Sequence, residues 1–188
     1  MTNIHNLVET TIESSEIFRG NFMKVKCDTV RLPDGKKAMR EYINHSGATC
    51  IIAITNNNEI ILEYQYRYPV SKVMLELPAG KLEKDEAPLI CAQREFKEET
   101  GYSASKWVKL GTCLPCIGYS TEKIIYFLAT ELSSGEPHLD DGEFLETISM
   151  PFDKFIQMAY NGEIEDSKTL AGAMLYLGHL NKISNIHK

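Results

Sequence analysis

Between Pro88 and Gly101 the sequence PLICAQREFKEETG has few conformations open to it other than a short helix with a sealed end. Proline suits a first helical turn, where its missing N–H has no partner to lose. Glycine suits the residue after the last turn, where the backbone turns left-handed. At 100° per residue, Leu89, Ala92 and Phe96 fall within about 60° of one another, an apolar stripe that needs a partner surface. A helix over Ala87–Thr100 is therefore predicted. Glu95, Glu98 and Glu99 span about 100° and centre at least about a quarter-turn from that stripe. Three carboxylates so close repel each other. A hard divalent cation removes the repulsion, and Mg²⁺ prefers carboxylate oxygens together with water and phosphate oxygens. The competing reading is a solvated face laced by Arg94–Glu98 and Lys97 pairs.

The rest of the chain reads as strands and closing helices. IFRGNFMKVKCDTV predicts one or two strands, Pro33-Asp34-Gly35 a turn, and KAMREYINH another strand. Residues 17–45 thus look like a small hairpin-rich unit. From Ala48 the β-rich runs ATCIIAITN and EIILEYQYR are split by Asn56-Asn57-Asn58, and VMLELPAG predicts a strand ending at Pro78. WVKLGTCL, KIIYFLATEL and EFLETISM follow as strands, and PFDKFIQMAYNG and SKTLAGAMLYLGHL as amphipathic helices. The predicted class is α/β (α+β), a mixed sheet flanked by helices. Residues 1–46 form an N-terminal β-hairpin extension and residues 47–188 the main domain.

Composition narrows the partners. The net charge is −6 and no long basic block occurs, which argues against nucleic acid as a ligand. No continuous apolar run is long enough for a membrane span, and the N-terminus lacks a cationic start followed by an apolar core. The cytoplasm is the expected compartment. The five cysteines are odd in number and scattered, so reduced thiols are expected. Cys113 and Cys116 form a CxxC, but no second pair accompanies it. No Ser/His/Asp arrangement is legible.

The spacing around the acidic helix carries more. Gly80, five residues, Glu86, seven residues, then Arg94-Glu95-Phe96-x-Glu98-Glu99-x-Gly101-Tyr102 resembles the Nudix box at every fixed position. QYRYPV, ELPAG, the hairpin extension and DDGEFLE resemble the ADP-ribose pyrophosphatase branch of that family, over most of residues 17–180. The resemblance implies a Nudix-type α/β/α sandwich with a mixed sheet and a small N-terminal β extension that exchanges across a homodimer. It implies Mg²⁺-dependent hydrolysis (Mn²⁺ as a substitute) of the pyrophosphate of ADP-ribose to AMP and ribose 5-phosphate.

Residue by residue, the resemblance makes Glu95, Glu98 and Glu99 metal ligands, with the Ala79 carbonyl as a further one. Gly80, Glu86, Arg94 and Gly101 become structural members of the box, with Glu86 and Arg94 bracing its loop to its helix. Arg67 becomes a substrate contact, and Phe22 and the Arg40-Glu41 strand lie near the adenine; Phe22 as core packing remains an equal reading. The catalytic base is Glu143, in a loop that resembles the one supplying a base or extra ligand, with Glu98 as the second candidate. One position departs from the pattern. Where the branch usually carries a proline before a loop glycine, this chain has Ile117 before Gly118, and Pro115 lies two positions early. A GDP-mannose or broad nucleotide-sugar hydrolase is therefore the alternative. A catalytically silent nucleotide-binding regulator is the alternative of a different class. It is disfavoured because all three box glutamates are present.

Overall fold

The computed structural model describes residues 7–186; residues 1–6 and 187–188 of the two predicted segments lie outside it. The described chain divides into two compact units. One runs to Ser46 and also takes in Cys116–Glu122; the other comprises Gly47–Pro115 and the chain from Lys123 onward.

The first unit is an antiparallel meander of β1 (Thr10–Arg19), β2 (Lys24–Arg31) and β3 (Lys37–Ile43), in that spatial order. The β2–β3 turn is closed by the Gly35 N–H donating to the Leu32 carbonyl at 2.9 Å, with Gly35 at φ +87°. That positive φ is why glycine stands there. The first strand starts at Thr10, seven residues before the predicted hairpin region, because TTIESS is too polar to announce a strand. The segment Cys116–Glu122 joins this unit by backbone pairing: the Ile43 N–H donates to the Tyr119 carbonyl at 2.8 Å, and the Thr121 N–H to the Ile43 carbonyl at 3.0 Å. Ile12, Ile17, Phe18, Phe22, Met23 and Met39 are all exposed on this unit.

The second unit is a layered α/β structure. A four-stranded sheet has the order β7 (Ala79–Lys81), β4 (Ala48–Ala53), β9 (Ile124–Ser133), β8 (Ser103–Cys113). It is mixed: β4 and β9 run parallel, the other pairs antiparallel. Every residue of β4 is buried, as expected of a strand covered on both faces. Its alternation explains how. Ile51 and Ala53 join Ile125, Phe127, Ala92 and Phe96 in one core, against α1 (Pro88–Thr100). Cys50 and Ile52 join Tyr126, Leu128, Phe155, Ala173 and Tyr176 in the other, against α2 (Phe152–Tyr160) and α3 (Ser167–Ile186). The mixed sheet between helices is the predicted architecture.

A second, antiparallel sheet of β10 (Leu145–Pro151), β5 (Glu59–Arg67) and β6 (Lys72–Glu76) completes the unit. The strand predicted to end at Pro78 ends at Glu76, and a further short strand, β7, follows it at Ala79–Lys81. Leu77 and Pro78 separate the two, so β6 and β7 serve different sheets, and the Pro78 carbonyl accepts from the Ile51 N–H at 2.9 Å. Proline cannot donate to a ladder, which favours the break. Among the described residues no helix is long and apolar enough to cross a membrane.

Candidate active site

Helix α1 is held by Cys91, Ala92 and Phe96, all fully buried. Leu89, expected in the apolar stripe, is exposed, while Cys91, about 160° around the helix from it, is buried against Thr49 and the Gly80 and Lys81 carbonyls. The first turn lies beyond the part of the helix that meets the sheet core. Gly101 caps the far end at φ +73°, its N–H donating to the Lys97 carbonyl at 2.9 Å. A Cβ there would also lie 2.5 Å from the Gly135 carbonyl oxygen. Both the φ and the close backbone exclude a side chain. The same crossing segment donates the His138 N–H to the Glu98 carbonyl at 2.8 Å, satisfying a helix-end acceptor. The chain that leads to Glu143 is thereby tied to the end of α1.

Arg94 organises the exposed part of the acidic ridge. Its Nε and Nη2 donate to Glu86 at 2.9 and 3.0 Å, and its Nη1 reaches Glu98 at 3.0 Å and Glu95 at 2.9 Å. Nη2 also donates to the Lys81 carbonyl at 3.3 Å, so one guanidinium joins the helix to the loop before it. Arg94 holds the Glu86 carboxyl down at about 2. Burial raises Glu95 despite the neighbouring Arg94. Gly80 lies on β7 directly beneath Glu95: a Cβ at that position would sit 1.8 Å from the Glu95 carboxyl carbon. Glycine here is the space that Glu95 fills.

Glu99 differs from its neighbours because it is buried, only 4% exposed. One of its carboxylate oxygens accepts the Ala79 N–H at 3.2 Å. Burial, followed by repulsion from Glu63, Glu95 and Glu143, pushes its pKa well up. The Thr147 hydroxyl donates to the Glu99 carbonyl at 3.3 Å, joining the end of α1 to β10.

Glu63 and Glu76 were not singled out in the sequence, although Glu63 interrupts the apolar run IIL and Glu76 opens ELPAG. They are cross-strand neighbours on β5 and β6, and both are buried. Glu76 is fully partnered. Arg67 grips it through Nε and Nη2 at 2.8 and 2.7 Å, and the Lys168 ammonium contacts it as well. Burial would raise its pKa, but these two cations hold it below the usual value. Lys168 also reaches Asp166 at 2.9 Å, and Asp166 caps α3 by accepting the Thr169 N–H at 3.0 Å. Glu63 has no such support. Among the described residues neither of its carboxylate oxygens meets a hydrogen-bond donor, and burial pushes its pKa up to about 8.

This has a consequence for pH. A carboxyl raised from 4.5 to about 8 on folding binds its proton more tightly in the folded chain. Its stabilising contribution is complete below about pH 4.5 and lost as pH climbs through about 8. In a chelator, the melting temperature of the wild type should therefore fall between pH 5 and pH 8.5 more steeply than that of Glu63→Gln. A difference of a few degrees is expected, since 1 kcal/mol moves a chain of this size by about 2–4 °C. Parallel profiles in circular-dichroism melts would refute it.

The other predicted residues are distributed as follows. Glu143 follows Gly142, which has φ +86°, and its Oε1 is 3.4 Å from the Gln65 Nε2 on β5. Two of the three guanidinium nitrogens of Arg67 are committed to Glu76. Phe22, Arg40 and Glu41 belong to the first unit. There Phe22 is 59% exposed and sits edge-on to His45 at 6.1 Å. Arg40 pairs with Glu9 at 2.5 Å. Arg40 and Glu41 are consecutive on β3, so their side chains leave opposite faces of the sheet. Ile117 is 81% exposed.

Among the described residues no three acidic, histidine or cysteine side chains converge at metal-ligand spacing. The ridge is held open by Arg94, which draws Glu95 and Glu98 to itself. The donor set nevertheless suits a hard cation. Oxygen ligands dominate it, Glu99 is buried against like charges, and both oxygens of Glu63, one of those charges, lack a donor among the described residues.

Comparison with known proteins agrees with this architecture. Residues 44–172 match the NUDIX domain, and residues 9–43 match the nucleoside diphosphate sugar hydrolase N-terminal domain. The chain is 41% identical over 171 residues to a methanol dehydrogenase activator of Bacillus methanolicus, covering 90% of this chain and 92% of that protein. It is 38% identical over 174 residues to an ADP-ribose pyrophosphatase of Bacillus subtilis, covering 92% and 94%. It is also 33% identical over 171 residues to a GDP-mannose pyrophosphatase of Yersinia enterocolitica, covering 83% and 88%. A crystal structure of an ADP compounds hydrolase shares the fold at TM-score 0.81 and 17% identity, over 93% of this chain and 95% of that one. The chain therefore belongs to the Nudix hydrolase family, in the branch of the ADP-ribose pyrophosphatases.

Proposed function

We propose that this hydrolase cleaves the pyrophosphate of ADP-ribose to AMP and ribose 5-phosphate, with Mg²⁺ as its cation and Mn²⁺ as a working substitute. The observation that carries the reading is the acidic end of α1: a buried Glu99 among like charges, in a chain that aligns along nearly its whole length with an ADP-ribose pyrophosphatase. Glu95, Glu98, Glu99 and the Ala79 carbonyl would hold the cation. When bound, it would neutralise the pyrophosphate and stabilise the departing phosphate oxygen.

The residues of the chain divide the remaining work. Glu143 accepts the proton of the attacking water, with Glu98 as the alternative acceptor. Arg67, steadied by Glu76, presents its outer edge to phosphate or ribose oxygens. Arg94 and Glu86 keep the loop after β7 against α1. Phe22, Arg40 and Glu41 are assigned to the adenine. Relatives named GDP-mannose pyrophosphatase, together with Ile117 at the marker position, support a second reading in which other nucleotide sugars are accepted. A hydrolysis panel of ADP-ribose, GDP-mannose and other nucleotide sugars with Mg²⁺, products identified, decides between them. Failure to turn over any of them would sink both and favour the silent nucleotide-binding regulator.

Gly80→Ala should lower kcat/KM by about 10–100-fold, the usual effect of disturbing a ligand's support. The new methyl group would occupy the site of the Glu95 carboxyl carbon. The fold should persist, because Glu95 can swing outward. Unchanged kinetics across a Mg²⁺ titration would remove Glu95 from the cation site.

The working form is proposed to be a cytoplasmic homodimer built through residues 1–46. The support is the set of exposed apolar side chains on and beside a three-stranded sheet too small to hide them. Sedimentation at micromolar concentration should give twice the chain mass of 21.3 kDa. A monomer there would defeat the proposal.

A further inference from the structure

We propose that Glu63 belongs to the cation centre as an additional acceptor, taking hydrogen bonds from water bound to the divalent ion. The inference rests on the metal-site reading above and extends it to a residue outside the Nudix box. Glu63 is 0% exposed, and among the described residues neither carboxylate oxygen meets a donor. A buried carboxylate in that condition is costly unless something supplies hydrogen bonds or positive charge.

The protein has cations nearby but does not give them to Glu63. Arg67 is bidentate on Glu76, and Lys168 is divided between Glu76 and Asp166. On the other side, Glu63 stands cross-strand from Thr147, whose hydroxyl is bonded to the Glu99 carbonyl. Among charged groups, Glu63 is the one that Glu99 senses most strongly, ahead of Glu95. Glu63 also senses Glu143, the residue assigned to the attacking water. The orphaned carboxylate thus lies between the Glu76–Arg67–Lys168 cluster and the strand that contacts the end of α1, with the neighbouring cations already spoken for. Mg²⁺ keeps several waters when bound by protein carboxylates, and each carries donors that need acceptors. Glu63 supplies two buried acceptor oxygens and one further negative charge.

The test uses Mn²⁺ alone as probe, without substrate, and reads free ion by electron paramagnetic resonance. Four proteins are compared: wild type, Glu63→Gln, Glu63→Leu and Glu99→Gln, each first shown to be folded by its melting temperature in chelator. The expected result is a loss of Mn²⁺ affinity of about tenfold in Glu63→Gln and more, up to about a hundredfold, in Glu63→Leu. Glu63→Leu should meanwhile melt higher than wild type in chelator, because it removes a buried carboxyl whose oxygens have no donor among the described residues. A purely structural Glu63 would give the higher melting temperature without the change in affinity. Wild-type affinity in both Glu63 variants, with weakening in Glu99→Gln, would overturn the inference and leave the metal site standing. Wild type binding no better than Glu99→Gln would overturn the metal site itself, and Glu63 with it.

Discussion

Glu99→Gln is expected to remove hydrolysis, lowering kcat by at least about a hundredfold at ordinary Mg²⁺, while leaving the fold intact. Even outer supports of a metal site typically cost about 10–100-fold when lost, and Glu99 is assigned as a direct ligand. The fold should survive because the ionised form of Glu99 is a burden in the absence of a cation. It is buried, its pKa is driven well up, and Glu63, Glu95 and Glu143 repel it. Glutamine has nearly the same shape and keeps an oxygen for the Ala79 N–H. In chelator the variant should melt at or above the wild-type temperature near pH 8, where the carboxylate form matters most. The two readouts therefore move in opposite directions. Normal activity would dismiss the ligand role. A large drop in melting temperature would make Glu99 a structural residue whose loss of activity is secondary.

Glu143→Gln is expected to lower kcat by about 10²–10⁴-fold, the usual cost of losing a general base, with a much smaller change in KM. Glu98 is occupied, as its carboxylate accepts from Arg94 at 3.0 Å. Glu143 comes from a different element, the turn before β10. There Gly142 takes a positive φ and the Glu143 N–H closes on the Asp140 carbonyl at 3.0 Å. A carboxylate delivered this way can meet the attacking water from outside the helix ridge. Gln65 lies beside it as an amide partner, so the near-isosteric glutamine should keep the loop in place. The paired measurement is Glu98→Gln. If that variant loses kcat while Glu143→Gln keeps most of it, the base lies in the helix. If both lose it, Mn²⁺ titration of each separates a shared water from a shared ligand.

The box helix and the layered fold were legible in the sequence because each rests on local rules. Proline at the start, glycine at the end and the apolar pair Ala92 and Phe96 define α1 from within a short window. The near-continuous apolar runs ATCIIA and IIYFLA define strands buried on both faces. The run of glutamates, with Gly80, Glu86 and Arg94 at their spacing, points to one chemistry without reference to any contact. The start of β1 was not legible, because Thr and Ser beside Glu carry strand propensity without hydrophobic period. The strand end near Pro78 was legible, but β7 and its place in the other sheet were hidden, since which sheet a strand joins is decided by partners far along the chain.

The site shows the same division. Which glutamates exist is a matter of sequence, but which of them are buried, partnered or orphaned is not. Arg94 distributing itself over Glu86, Glu95 and Glu98 depends on the loop after β7 folding back on α1. Glu76 and Glu63 are both glutamates within strands, and nothing local distinguishes them. Only the sheet register and the start of α3 give Arg67 and Lys168 to Glu76 and leave the Glu63 oxygens without a donor among the described residues. Residue type and spacing act over a few positions and so can be read along the chain. Electrostatic environment depends on distance through space and on exclusion of water, and those are set when strands and helices from remote segments come together.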